Sequence, residues 1–164
     1  MIKALIELGR SAGHKVEKVN GVVTDIVSGR AVTLKETTDA GGNKIVNIVP
    51  ANGEQAGFIY GFAADDTKAF NYNGMYDQID GNYKFGLVAA FLFGGHYLVW
   101  DDSRGAVFAD DVCNAAIGTK LYVDAEGKLT TTKGGTDTIG EQCVGYILTA
   151  PATQNDALEF KAIA

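Results

Sequence analysis

Few side chains in this sequence are of kinds that do chemistry, and their spacing works against it. The histidines are His14 and His96, and the cysteines are Cys113 and Cys143. A cysteine–histidine nucleophile needs the two side chains within hydrogen-bond reach, and no local spacing here brings His96 to either cysteine. A single histidine in a strand is more often structural. The cysteines fit reduced, buried, small apolar residues better than a disulfide, because nothing else marks a disulfide-dense scaffold. Carboxylates come as the neighbours Asp65-Asp66, Asp101-Asp102 and Asp110-Asp111. Glycoside hydrolysis needs two carboxylates facing each other across a substrate, whereas neighbours on a strand point to opposite faces. Asp101, Asp102 and Ser103, with Asp110 and Asp111, carry the oxygen ligands that calcium takes but not the EF-hand spacing. Solvated turn charges are their expected role. The phosphate-binding Gly-x-x-x-x-Gly-Lys-[Ser/Thr] loop, the Gly-x-Ser-x-Gly elbow, His-Glu-x-x-His and Cys-x-x-Cys are all missing from the sequence. No catalytic residue, metal ligand or cofactor is therefore assigned, and the chain is expected not to be an enzyme.

The frame that would position any site is expected to be β. The chain has 164 residues, enough for one domain with its own core. It is 46% hydrophobic and 21% charged, a globular composition. It carries 21 glycines but only two prolines, Pro50 and Pro151. Many glycines among valines, threonines and aromatics point to short strands joined by tight turns. The formal net charge of −6 repels phosphate backbones and anionic lipid, so neither nucleic acid nor a membrane is an expected partner. The N-terminal residues lack the features of a signal peptide. The most apolar run, 85–100, falls short of the roughly 20 residues that span a bilayer. The chain is expected to be made in a cytoplasm.

The fold class that follows is all-β: a small glycine-rich β-barrel or sandwich with tight hairpins and an extended or short helical N-terminal arm. Ile2, Leu5, Ile6 and Leu8 are spaced for a short helix, but so few residues are marginal alone. Residues 1–18 are therefore read as an arm without its own core, and 19–164 as a single barrel. Strands are expected at 22–27, 31–35, 44–49 and 57–62, with turns at Ser28-Gly29-Arg30 and Ala40-Gly41-Gly42-Asn43. Residues 63–83 mix turn formers with tyrosines and read as a long surface excursion. Residues 85–93 and 96–100 could pair as a hairpin about Gly94-Gly95, a dipeptide that type I′ turns favour. Residues 121–123 and 128–132 form a second hairpin around Asp124-Ala125-Glu126-Gly127. The segments 139–149 and 157–163 close the domain.

One stretch is similar to a known pattern. Ala116-Ile117-Gly118-Thr119-Lys120-Leu121-Tyr122-Val123-Asp124-Ala125-Glu126-Gly127-Lys128-Leu129-Thr130-Thr131-Thr132, followed by Ile139-Gly140-Glu141-Gln142-Cys143-Val144-Gly145-Tyr146, resembles the capsid decoration (cement) proteins of tailed phages, which have a small β-barrel. The resemblance covers roughly residues 85–163, and the segment 63–83 has no counterpart in the short members. It implies a virion protein on the outer capsid surface that stabilises the assembled head. The partners implied are the major capsid protein and copies of the chain itself, with a trimer favoured. Candidate interface residues are Ile2, Leu5 and Ile6 of the arm, Tyr72, Tyr76 and Tyr83 of the excursion, and Phe91, Phe93 and Trp100 of the apolar segment. The alternatives are another β-rich virion part, such as a head fibre or tail component, and a carbohydrate-binding barrel using Trp100 and the tyrosines.

Overall fold

A computed structural model describes residues 1–6, 14–19, 22–64, 67, 87–88, 90–91, 94–101 and 105–163. The protein is all-β, and its described residues form two six-stranded sheets and one two-stranded ribbon. The first sheet has the order β1-β10-β14-β13-β11-β12: Ile2–Ile6, His96–Val99, Leu158–Ala162, Gly145–Thr149, Lys120–Val123 and Leu129–Thr130. Every pairing in it is antiparallel. The second has the order β8-β2-β6-β5-β7-β9: Leu87–Val88, His14–Val16, Lys44–Pro50, Ala31–Thr38, Gly61–Ala63 and Ala90–Phe91. β3 (Lys18–Val19) and β4 (Val22–Val23) form the ribbon.

The second sheet curls until its two edges meet along the chain. Its edge strands, β8 and β9, are separated in sequence by one residue. β8 pairs with β2 and β9 with β7, so one short stretch of chain holds both edges. Inside the curl lie Val16, Ile26, Val32, Ile48, Ala63, Val88 and Ala90. A larger core fills the space between the sheets, with Tyr97, Phe160, Leu121, Leu129, Ile147 and Leu158 among its fully buried members. β5 and β7 serve both cores. Alternation puts Ala31 and Phe62 in the large core and their neighbours Val32 and Ala63 in the small one.

Backbone hydrogen bonds at Gly53 join the two halves, and a further one buttresses Gly140. Gly53 N–H donates to Asp124 O (2.8 Å), Gly140 N–H to Gly53 O (2.9 Å) and Gly134 N–H to Gly140 O (2.8 Å). A Cβ on Gly53 would collide with the Val123 carbonyl, and one on Gly140 would lie 2.7 Å from Gly53 O. These positions need glycine because two backbones pass within contact there.

The local turns follow their chemistry. β5 and β6 pair over seven positions, from Val32↔Pro50 to Thr38↔Lys44. Asp39 Oδ1 caps their turn, accepting from Gly41 N–H (2.9 Å) and Asn43 N–H (2.8 Å). The bonds from Asn43 hold the Asp39 carboxyl below its usual range. In the β11–β12 hairpin, Asp124 Oδ1 accepts from Glu126 N–H (2.8 Å) and Lys128 N–H (2.9 Å), and Gly127 takes the left-handed conformation at φ 79°.

Of the two forms expected for the first residues, the extended one is present: β1 enters the first sheet with Ile2 in the large core, and β2 puts Val16 in the small one. Two expectations are corrected. The hairpin about Gly94-Gly95 does not form. Gly94 has φ 94°, but Gly95 lacks the positive φ that a type I′ turn requires. The chain there crosses from β9 in one sheet to β10 in the other. The strand placed at 57–62 shrinks to Gly61–Ala63, since 54–57 make a turn and bend. Within the closing segment 139–149, a 3-10 turn, Ile139–Glu141, precedes β13. Most of the excursion 63–83 lies outside the described residues. Thr67 is buried and clamped to Ile26, donating its N–H to Ile26 O (3.0 Å) and accepting at Oγ1 from Ile26 N–H (2.9 Å).

Candidate functional site

The first sheet turns one face to the core and the other outward. Alternation along β10, β14, β13 and β11 buries Tyr97, Val99, Leu158, Phe160, Ala162, Ile147, Leu121 and Val123. It leaves His96, Leu98, Glu159, Lys161, Tyr146, Leu148 and Lys120 on the outer face. Register lines four of these up: Lys120 opposes Tyr146, Tyr146 opposes Lys161, and Lys161 opposes His96. Neighbouring strands lie about 4.8 Å apart, so the two lysines flank Tyr146 at one strand's distance each. Lys120 and Lys161 are exposed, while Tyr146, Leu98 and Leu148 are half-buried.

Glu159 is the one carboxylate in β1, β10, β11, β13 and β14, which together carry Lys3, Lys120 and Lys161. Its Oε1 lies 2.7 Å from His96 Nε2, poorly aligned for a hydrogen bond, and its Oε2 accepts from Thr149 Oγ1 (2.9 Å). This face is basic on a chain whose total charge is −6.

The opposite character appears where the β13–β14 connection meets the 3-10 turn Asp110–Val112. Asp110 and Asp156 are exposed there, with Asp111 and Asp101 close by in the fold. Their combined effect falls on Cys113: burial first, then the charges of Asp110, Asp101, Asp156 and Asp111, push its thiol up. Asp111 is the best-held carboxylate of the four. Its Oδ2 accepts from Thr130 Oγ1 (2.7 Å), from Thr131 N–H and Oγ1 (3.0 and 2.8 Å) and from Thr132 N–H and Oγ1 (3.1 and 2.9 Å). Partial burial raises its pKa, and these bonds outweigh that and bring it below the usual value.

The expected interface residues scatter. Ile2 is a core residue, Leu5 is 44% exposed, and Ile6 continues β1 opposite His96. Phe91 lies in β9 opposite Phe62. Trp100 is half-buried, and its carbonyl accepts from the Met1 ammonium (2.6 Å). Tyr72, Tyr76, Tyr83 and Phe93 lie outside the described residues, as do Asp65, Asp66, Asp102 and Ser103. Among the described residues, no group of three or more His, Cys, Asp and Glu could hold a metal ion. Both cysteines are free.

Sequence reasoning missed Ile117, which is 75% exposed. It precedes Gly118 (φ 83°) in a turn closed by Thr119 N–H donating to Ala116 O (3.1 Å), which points an apolar side chain at solvent. It also missed the row Lys120–Tyr146–Lys161. The polar-out alternation of KLYV, GYILT and LEFKA carries that signal; the register that aligns the strands is not local.

A cleft of about 540 Å³ lies between the curled sheet and the Asp124–Gly127 loop. Glu17 and Lys35 pair in it at 2.6 Å. No aromatic is among its described lining residues. Among the described residues, no helix is long and apolar enough to cross a membrane. The fold defines an all-β protein of two sheets, one curled into a barrel-like half. Compared with known proteins, the chain matches no family model, no curated protein and no solved structure.

Proposed function

We propose that the chain is a structural protein of a tailed-phage virion, a decoration protein that attaches to the outer capsid surface and stabilises the head. It works by binding and assembly rather than by catalysis, with the major capsid protein and copies of itself as partners. One observation carries the reading: the stretches similar to decoration proteins, 116–132 and 139–146, are not scattered. They form adjoining parts of one sheet, β11, β12 and the start of β13, and the first begins in the turn that exposes Ile117. Ile117 is the most exposed large apolar side chain among the described residues, which makes it the first to vary in a docking test. A specific contact of this kind buries about 800 Å² on each partner.

The test is co-sedimentation of the purified protein with undecorated heads of the phage that encodes it. Saturable binding at stoichiometric copy is expected. Replacing Ile117→Asp should weaken that binding tenfold or more while leaving the circular dichroism spectrum unchanged. A protein that stays in the supernatant at every concentration overturns the reading.

A further inference from the structure

We propose that a second copy of this chain docks the acidic end made by Asp156 of its β13–β14 connection and the neighbouring Asp110 onto the Lys120–Tyr146–Lys161 row of the first. The proposal deepens the self-association in the reading above, and it rests on charge and geometry within one chain.

The two surfaces are opposite in sign and sit at opposite ends of one hairpin. Tyr146 and Lys161 face each other near the open end of β13–β14. Asp156 lies in the connection at the other end, beside Asp110, whose Oδ1 accepts from Gln154 Nε2 (2.7 Å). Asp156 is fixed in the same way, its Oδ2 accepting from Thr153 N–H (2.9 Å) and Oγ1 (3.0 Å). Both carboxylates are therefore held in place and exposed. On the basic side, the β framework fixes the lysine positions, and Leu98 and Leu148 supply half-buried apolar surface beside them. Glu159 takes one charge from this face, but Lys3, Lys120 and Lys161 outnumber it and leave the face net positive.

A flat basic face meeting an acidic end joins two different surfaces. Contacts of that kind run head to tail and close into rings when the rotation permits. The net charge of −6 opposes random association of copies, so local complementarity must select this one approach.

Light scattering and sedimentation of the purified protein, with no capsid present, test the contact. The wild type should form a discrete oligomer whose dissociation constant rises at least tenfold between about 0.1 M and about 1 M salt, where screening shortens from roughly 10 to 3 Å. The pair Lys120→Glu and Lys161→Glu should be monomeric with an unchanged circular dichroism spectrum. The milder Lys120→Gln and Lys161→Gln should be weakened in the same direction if the reversal disturbs folding. The pair Asp110→Lys and Asp156→Lys should also be monomeric. A chain carrying all four reversals should associate again, because both surfaces have exchanged sign. A wild type that stays monomeric at high micromolar concentration overturns the proposal, as does an oligomer indifferent to the lysine changes. Either failure leaves capsid attachment standing, since heads take no part in the measurement.

Discussion

The antiparallel sheet and the curled sheet solve the same problem with different means. The antiparallel half builds its core from long-range neighbours but fixes its turns locally: Asp124 caps one hairpin, and Asp111 ties Thr130–Thr132 to the 3-10 turn at Asp110–Val112. Its aromatic centre is tight, with Phe160 5.3 Å from Phe62 and 5.7 Å from Tyr97 between ring centroids. The curled half has smaller core residues, one parallel pairing between β2 and β6, and edges closed by a few residues. Stability should therefore concentrate in the antiparallel half, and the curled half should follow it through the shared strands β5 and β7.

The sharpest break is Phe160→Ala, which should cost about 4 kcal/mol by chemical denaturation and abolish both halves together. If the curled sheet keeps its structure in that variant, the dependence is wrong. Gly53→Ala comes next, at about 3 kcal/mol, because a side chain there forces apart backbones that are hydrogen-bonded across the seam. It should also split the unfolding curve into two transitions, one for each half. Asp111→Asn should cost about 2 kcal/mol at neutral pH through weakened bonds to the three threonines. The folded carboxyl titrates below its unfolded value of about 3.9. Its contribution is thus present above that pH and lost as pH falls through the folded value. The Asn variant should show a flatter acid limb below about pH 4 than the wild type, measured by urea titration at each pH. Smallest is Tyr60→Phe, which removes the 2.9 Å contact with His14 Nε2. About 1 kcal/mol should be lost, appearing as faster amide exchange in β2 and not in β13 or β14.

The same contrast explains what the sequence revealed. The β11–β12 hairpin was legible because its signals, Asp124 and Gly127, act within four residues. The Ala40–Asn43 turn was legible for the same reason. Gly94-Gly95 misled because a dipeptide reports what a turn permits, and here the flanking strands belong to different sheets. The need for glycine at 53 and 140 could not be read, since it arises from segments nearly ninety positions apart in the chain. Asp111 was singled out for its charge, yet its partners lie 19 to 21 residues away. Ile2 is a core residue, and a short apolar run at a terminus looks the same in sequence whether it covers a partner or completes its own sheet.

The single stretch that closes the curled sheet also sets an order of events during synthesis. β2 and β7 are made early, but each must wait for residues 87–91 before its open edge is covered, and β1 waits longer still for β10. A nascent chain halted before that point carries exposed strand edges with nothing to pair them. Such a fragment should seek pairing with its neighbours on a polysome, so β8, β9 and β10 act as the chain's own protection against aggregation.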